Sequence, residues 1–278
     1  AKTVRFTVKT GKGKAPDPPK VGRGAKFRCL VCGEVAPDEY IRAESMAERM
    51  GAQLMTIVTE GEHERSYYAP TSEHEAIAAQ AKPEWTPIQE MNRDTSDLVS
   101  GRGYGFFTWA DLFTPRQLTA LTIFSDLVGE AREQIRADAL AAGLPDDDVL
   151  LRKDGVGARA YAEAVSVYLA LGMSKLTDYN SAFVLWSPGR DQAKATFARQ
   201  AIPMIWDYTE VNPFAEAAGD LLVTLSGIGK VLENSVFADK RGTVKQLDAT
   251  KISPDVKIGI STDPPYYDNI SYADLSDY

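Results

Sequence analysis

The sequence predicts a mixed α+β fold: a ribbon-like N-terminal piece, a large helical region and the first strands of an open α/β sheet near the C-terminal end. Three observations carry this. Short alternating apolar segments and a Cys-x-x-Cys-Gly turn occupy the first 103 residues. From about residue 114 apolar residues recur at intervals of three and four, the spacing of one helix face. Two brief apolar runs, each releasing an aspartate, follow after residue 240. The corresponding regions are 1–103, 104–239 and 240–278.

Taken in order, "TVRFTVKT" (3–10) alternates with period two and reads as a strand. "GKGKAPDPPKVGRG" is a Gly/Pro/Lys loop, and "AKFRCLVCGE" a short strand with the Cys turn. A helix around 39–50, a strand at 52–59, another near Tyr67 and Tyr68, and a helix over 71–82 complete the first region. Residues 83–103 are polar and irregular, and "SGRGYGFF" within them reads as a flexible connector.

"LFTPRQL" is a helix start. Thr114 is the N-cap, Pro115 stands in the first turn, and Gln117 completes a capping box. Leu118, Leu121, Phe124, Leu127 and Val128 then form one face, which Gly143 and "LPDDD" end. A second helix begins near Gly157, and further helices are expected at 190–199 and about 215–235. "GTVKQLDAT" (242–250) and "VKIGIST" (256–262) read as strands ending at Asp248 and Asp263. Open α/β sheets place ligand-binding groups at such strand ends.

Composition excludes several classes. With 44% apolar and 25% charged residues, the chain is of ordinary globular type. Its longest apolar runs, such as "AIPMIW" at 201–206, are far too short to cross a bilayer. No basic n-region followed by an apolar stretch opens the sequence, and two cysteines suit a reducing compartment. Cytoplasmic location is the expectation. The net charge is −8, yet residues 1–28 hold nine Lys and Arg against Asp17 alone, a local +8 that leaves −16 for the rest. Such asymmetry marks either a phosphate-seeking end or a solvated arm.

Asp263-Pro264-Pro265-Tyr266 after an apolar run is the strongest chemical signal. An amino group on an aromatic ring is a poor nucleophile because its lone pair is delocalised. A carboxylate and a backbone carbonyl that accept its two hydrogens favour a more tetrahedral nitrogen, able to attack a methyl donor. Prolines stiffen the loop and remove competing donors, and an aromatic ring stacks on a base flipped from the duplex. Asp248, fifteen residues earlier, is either a cofactor-side acid or an ordinary strand-ending Asp. "SGIGK" (226–230) lacks the spacing of a phosphate loop. No Gly-rich turn has the strand before and helix after that would cradle a cofactor. Cys29 and Cys32 are half of a zinc knuckle or two thiols in a turn, since structural zinc wants four ligands. His63 and His74 match no common finger spacing and read as surface residues. In "WSPGRDQAKATFARQAIPMIWDYTEVNPF" (186–214) basic residues interleave with aromatics, as in strand-tracking nucleic-acid binders, although inward packing of Phe197 and Trp206 explains the aromatics more simply.

"CLVCGE", "GAQLMTIV", "DLFTPRQLTALTIFSDLV", "YAEAVSVYLALGMSKLTDYNSAFVLW", "FARQAIPMIWDYTEVNPF" and "TDPPYYDNISYADLSDY" together resemble the large adenine-specific DNA methylases that carry a zinc ribbon and a helical insert within the catalytic domain. The resemblance covers nearly the whole chain. It implies a partial Rossmann-like methyltransferase sheet at the C-terminal end and S-adenosylmethionine as donor. It also implies DNA as partner, together with other restriction or defence-system proteins and no membrane. Asp263, Pro264, Pro265 and Tyr266 would carry the catalytic motif, Asp248 would touch the cofactor, and Cys29 and Cys32 would be the second half of the zinc ribbon. In that family the cofactor turn lies upstream of the ribbon and more catalytic fold follows the motif. The sequence is therefore expected to be an internal fragment, inactive alone. Cytosine N4 as target, and a non-catalytic DNA-binding or scaffolding module, are the alternatives.

Overall fold

The computed structural model describes residues 4–61, 64–91, 99–197, 201–235, 247–251, 259–263, 275, 276 and 278. It is a mixed α/β structure whose three sheets, among the described residues, are two-stranded antiparallel hairpins.

The first hairpin pairs β1 (Phe27–Arg28) with β2 (Val35–Ala36). Its tip is the Cys29–Gly33 turn, closed by Gly33 N donating to the Cys29 carbonyl at 2.9 Å, with Gly33 at φ 79°. Helix α1 (Asp38–Met46) follows. Asp38 holds the preceding loop to this helix: its Oδ1 accepts from Ala25 N at 2.7 Å and its Oδ2 from Arg42 Nε at 2.5 Å. Ala25 is fully buried as a result. The expected helix to residue 50 stops early because Glu48 adopts φ 57°.

The second hairpin pairs β3 (Ile57–Glu60) with β4 (Arg65–Tyr68). Helix α2 (Ser72–Ala78) then starts on a capping box in which Thr71 accepts from His74 N and the His74 ring nitrogen accepts from Thr71 N at 3.2 Å. The strand expected over 3–10 does not form in its described part. Residues 4–10 have no ladder partner among the described residues, although Gln53 Nε2 donates to the Val4 carbonyl at 2.9 Å. Alternation alone supplies a face, but a strand needs a neighbouring edge.

The helical region is built as its sequence signals dictate. In α3 (Pro115–Ala141) Thr114 N donates to Gln117 Oε1 at 2.9 Å and Gln117 N to Thr114 Oγ1 at 3.2 Å. Leu118, Leu121 and Phe124 are buried, while Leu127 is 46% exposed, so the stripe outruns the core. Gly143, at φ 91°, ends the helix with Leu144 N bonded to the Ala139 carbonyl and Gly143 N to that of Leu140, a Schellman closure. The "LPDDD" connection is clamped by Arg136 and Arg159, which both pair with Asp148. Helix α4 (Ala158–Thr177) packs along α3, and α5 (Leu221–Asn234) packs on α4. Asp220 caps α5 through Val223 N.

Three expectations are corrected here. Residues 190–197 are not helical. Pro188-Gly189 and Asp191 at φ 53° turn the chain between β5 (Trp186–Ser187) and β6 (Gln192–Ala193). "SGRGYG" is no flexible connector. It is a 3-10 helix over Ser100–Tyr104 whose Gly101 lies against Phe106 and Phe183, where a Cβ would come within 2.6 Å of the Phe106 ring. In the tail, residues 247–250 and 259–262 form no strand, and Ala249–Lys251 is a 3-10 turn. The rest of both expected strands lies outside the described residues.

The main core gathers Met91, Val99, Trp109, Leu112, Phe183 and Ile202, with Val99 bridging parallel to Ile202. A second cluster joins α3 and α4 through Leu121, Phe124 and Leu176.

Candidate functional site

Asp263 ends the described segment 259–263, and every residue of that segment is exposed. Its carboxylate is open to a ligand from solvent. Pro264, Pro265 and Tyr266 lie outside the described residues.

Asp248 stands before the turn Ala249–Lys251. Its Oδ1 accepts from Thr250 N at 3.0 Å and from Thr250 Oγ1 at 2.8 Å, and Lys251 Nζ stands 3.7 Å from Oδ2. The two bonds from Thr250, backbone first, hold this carboxyl below the usual carboxylate range. The geometry is that of a turn cap.

The Gly-rich run 101–105 does not fit S-adenosylmethionine. The best Gly-rich candidate, 101–105, spends its glycines on packing: Gly101 against two phenylalanines, Gly103 against Arg42, and Gly105 on a left-handed turn facing the Ser45 carbonyl. None of these opens a cradle for a nucleoside.

Cys29 and Cys32 are both exposed at the tip of the β1–β2 hairpin, and neither is in a disulfide. Structural zinc needs four ligands. Among the described residues no group of three or more His, Cys, Asp or Glu could hold a metal ion. Two thiolates alone do not complete a tetrahedral site. His63 lies outside the described residues, and His74 serves the α2 cap.

Trp186, Phe197, Trp206 and Tyr208 are half-buried, while Phe214 is 71% exposed. Trp206 meets the edges of Phe27 (4.9 Å) and Tyr104 (5.0 Å), joining the ribbon hairpin to the 3-10 helix, and Arg42 lies over Tyr104 at 4.6 Å. Trp186 receives Arg65 over its ring at 5.6 Å. From residue 4 to 24 the basic arm is largely exposed, with Lys14 paired to Asp17 at 2.9 Å.

One grouping escaped the sequence pattern. Tyr278 sits among Trp109, Phe113 and Phe197, with its hydroxyl against the end of α4. Its neighbours come from three distant segments, so no local spacing announces it.

No helix among the described residues is long and apolar enough to cross a membrane. No protein-family model, curated protein or solved structure matches the chain.

Proposed function

We propose that the chain is part of a DNA adenine N6-methyltransferase, and one observation carries this: the Asp263-Pro264-Pro265-Tyr266 motif after an apolar run. In this reading the Asp263 carboxylate accepts one hydrogen of the exocyclic amine of a flipped adenine. The Pro264 carbonyl accepts the other, and Tyr266 stacks on the base. The two acceptors would draw the nitrogen towards a tetrahedral geometry and make its lone pair available, and a bound donor would supply the methyl group as its carbon–sulfur bond breaks and the nitrogen gives up one proton. The exposure of Asp263 supports the reading, since a carboxylate sealed in a core would meet no base. S-adenosylmethionine is the methyl donor that the family resemblance implies. The glycines of 101–105 are spent on packing and offer it no cradle. The cap geometry of Asp248 argues for a structural role there before a cofactor one. The hairpin of Cys29 and Cys32 fits half of a zinc ribbon whose remaining ligands are not among the described residues. A Rossmann-like sheet around Asp248 and Asp263 belongs to the same proposal, as do DNA and restriction or defence-system proteins as partners.

Cytosine N4 is the lesser target, because the same two acceptors suit any exocyclic amine. A non-catalytic DNA-binding module is the second reading, favoured by the basic charge of residues 1–28 and the exposure of most residues from 4 to 24. Expression of the protein in a host free of DNA methylation, followed by mass spectrometry of its nucleosides, separates them. N6-methyladenine supports the first reading, N4-methylcytosine the lesser one, and neither base the binding module.

A further inference from the structure

Every lysine and arginine from Arg5 to Arg28 is exposed. Among the described residues only Lys14 of this set has an ion pair, with Asp17, and both of those side chains are 82% exposed. Four of the cations stand on backbone that is held in place. Lys20 bridges antiparallel to Phe27, Arg28 N donates to the Pro19 carbonyl at 2.7 Å, and Val21 N donates to that of Lys26 at 2.8 Å. Ala25 in the same loop is fully buried and tied to Asp38. Lys20, Arg23, Lys26 and Arg28 are thereby carried on a fixed loop along β1. Lys20 Nζ donates to the Gly22 carbonyl at 3.2 Å and Arg28 Nη1 to that of Gly33 at 3.0 Å, bonds that orient the charges without neutralising them. The preceding stretch opens a groove. Phe6, Val8 and Lys9 line a depression of about 360 Å³ with Met55, Thr56 and Tyr67. Phe6 and Val8 are half-buried while Arg5, Thr7 and Lys9 are exposed, so the groove is apolar with cations beside it.

The partner these features fit is a polyanion that also carries flat apolar rings. Residues 1–28 hold a local charge of +8 against −16 for the rest of the chain, so an anionic polymer is drawn to this end and repelled elsewhere. Duplex DNA would satisfy the charges, but its bases are stacked inside and would leave the groove unused. An acidic peptide offers charge without a regular supply of rings. A single strand offers both, with phosphates for the cations and unstacked bases whose faces pack on aromatic side chains. We infer that residues 4–28 and the adjoining face of the β3–β4 hairpin form a binding surface for single-stranded nucleic acid. Phosphates lie on the fixed cations of 20–28 and on Lys9, and one base enters the groove against Phe6 and Tyr67. This rests on the nucleic-acid part of the proposed function and is independent of the chemistry of Asp263. Binding of this kind tolerates any sequence, because every base has a π-face, and weakens steeply with salt.

Fluorescence anisotropy of a labelled oligo(dT) of about twenty nucleotides, titrated with the whole chain at several salt concentrations, tests this. Arg23→Gln and Lys26→Gln together remove two phosphate contacts, and the slope of log affinity against log salt is expected to flatten by about 1.4. Phe6→Leu and Tyr67→Leu keep apolar bulk but lose the aromatic face. Each is expected to weaken binding about fivefold or more and to leave the salt slope unchanged. Two separate aromatic variants keep the test decisive if one of them fails to fold. An oligo(rU) of the same length is the second arm: binding of either strand bears the inference out, and the tighter one names DNA or RNA as the source. An unchanged slope in the double charge variant would overturn the inference, as would wild-type affinity in both aromatic variants. Tighter binding of a duplex, indifferent to Phe6 and Tyr67, would overturn the single-strand inference and leave the DNA reading standing. Binding of phosphatidylserine vesicles with no binding of single strand or duplex would overturn both.

Discussion

Asp38 Oδ1 accepts the backbone N–H of Ala25 at 2.7 Å, a bond across thirteen residues that fastens the base of the cysteine hairpin to the start of α1. The other carboxylate oxygen takes Arg42, whose guanidinium lies over Tyr104. One acid thereby links the ribbon piece to the core.

That acid gives the first prediction. The hydrogen bond from Arg42, and after it the Ala25 N–H, hold the Asp38 carboxyl below its ordinary value. A depressed carboxylate contributes stability above its unfolded pKa of about 4, and this is lost as pH falls through the folded value. Asp38→Asn keeps an acceptor for Ala25 but removes the charge, so it is expected to flatten the acid limb of a denaturation curve. Asp38→Ala leaves the Ala25 N–H without its partner and is expected to cost about 1–3 kcal/mol in urea unfolding.

Tyr278 predicts behaviour at the opposite end of the pH scale. Burial pushes its phenol up to about 12, against about 10 when unfolded. A raised pKa means that the folded state holds the proton longer, so the contribution is whole below about pH 10 and is lost as pH rises through the folded value. Tyr278→Phe is expected to remove that part of the alkaline loss, read by denaturation from about pH 9 to about pH 12. Identical alkaline limbs in both proteins would contradict the burial of this phenol.

Packing in the helical region predicts a third result. Leu176 is fully buried between α3 and α4, and Leu112 in the main core. Truncating either to Ala is expected to cost about 2–5 kcal/mol. Leu222, on the solvent side of α5 and 73% exposed, is expected to tolerate Ala within about 0.5 kcal/mol. Equal losses at Leu176 and Leu222 in chemical denaturation would contradict the packing.

Cap chemistry predicts a fourth. Asp220 is nearly buried, which raises a carboxyl's pKa, yet bonds from the backbone N–H groups of Glu216, Val223 and Leu222 outweigh that and lower it. Asp220→Ala is expected to cost about 1 kcal/mol and to speed amide exchange in the first turn of α5. Asp220→Asn keeps an acceptor and is expected to recover most of the loss.

The helical region was readable wherever its signals are local. Thr114, Pro115 and Gln117 lie within four positions, and their hydrogen bonds form between neighbours, so the sequence suffices to place the start of α3. Gly143 ends the helix for the same reason. Residues 190–197 form no helix, because the turn chemistry of Pro188-Gly189 and Asp191 outweighs the helix propensity of their Ala and Lys residues. The Gly-rich run 101–105 looked mobile since composition does not reveal Phe106 and Phe183, which close on Gly101. At the candidate site Asp263 and the cysteine turn were visible as motifs, because each is a contiguous run. The seat of Tyr278 was not. Its parts come from residues 109–113, 177–181 and 196–197, and only folding brings them together.

The account rests most heavily on Asp263. The direct measurement is transfer of a labelled methyl group from S-adenosylmethionine to the N6 of adenine in duplex DNA by the protein, beside the same protein carrying Asp263→Ala. The account predicts N6-methyladenine with the native residue and a fall of about a thousandfold or more in the variant, as for a hydrogen-bonding group that acts mainly in the transition state. Unchanged transfer by the Asp263→Ala protein, or no transfer by either, would contradict it.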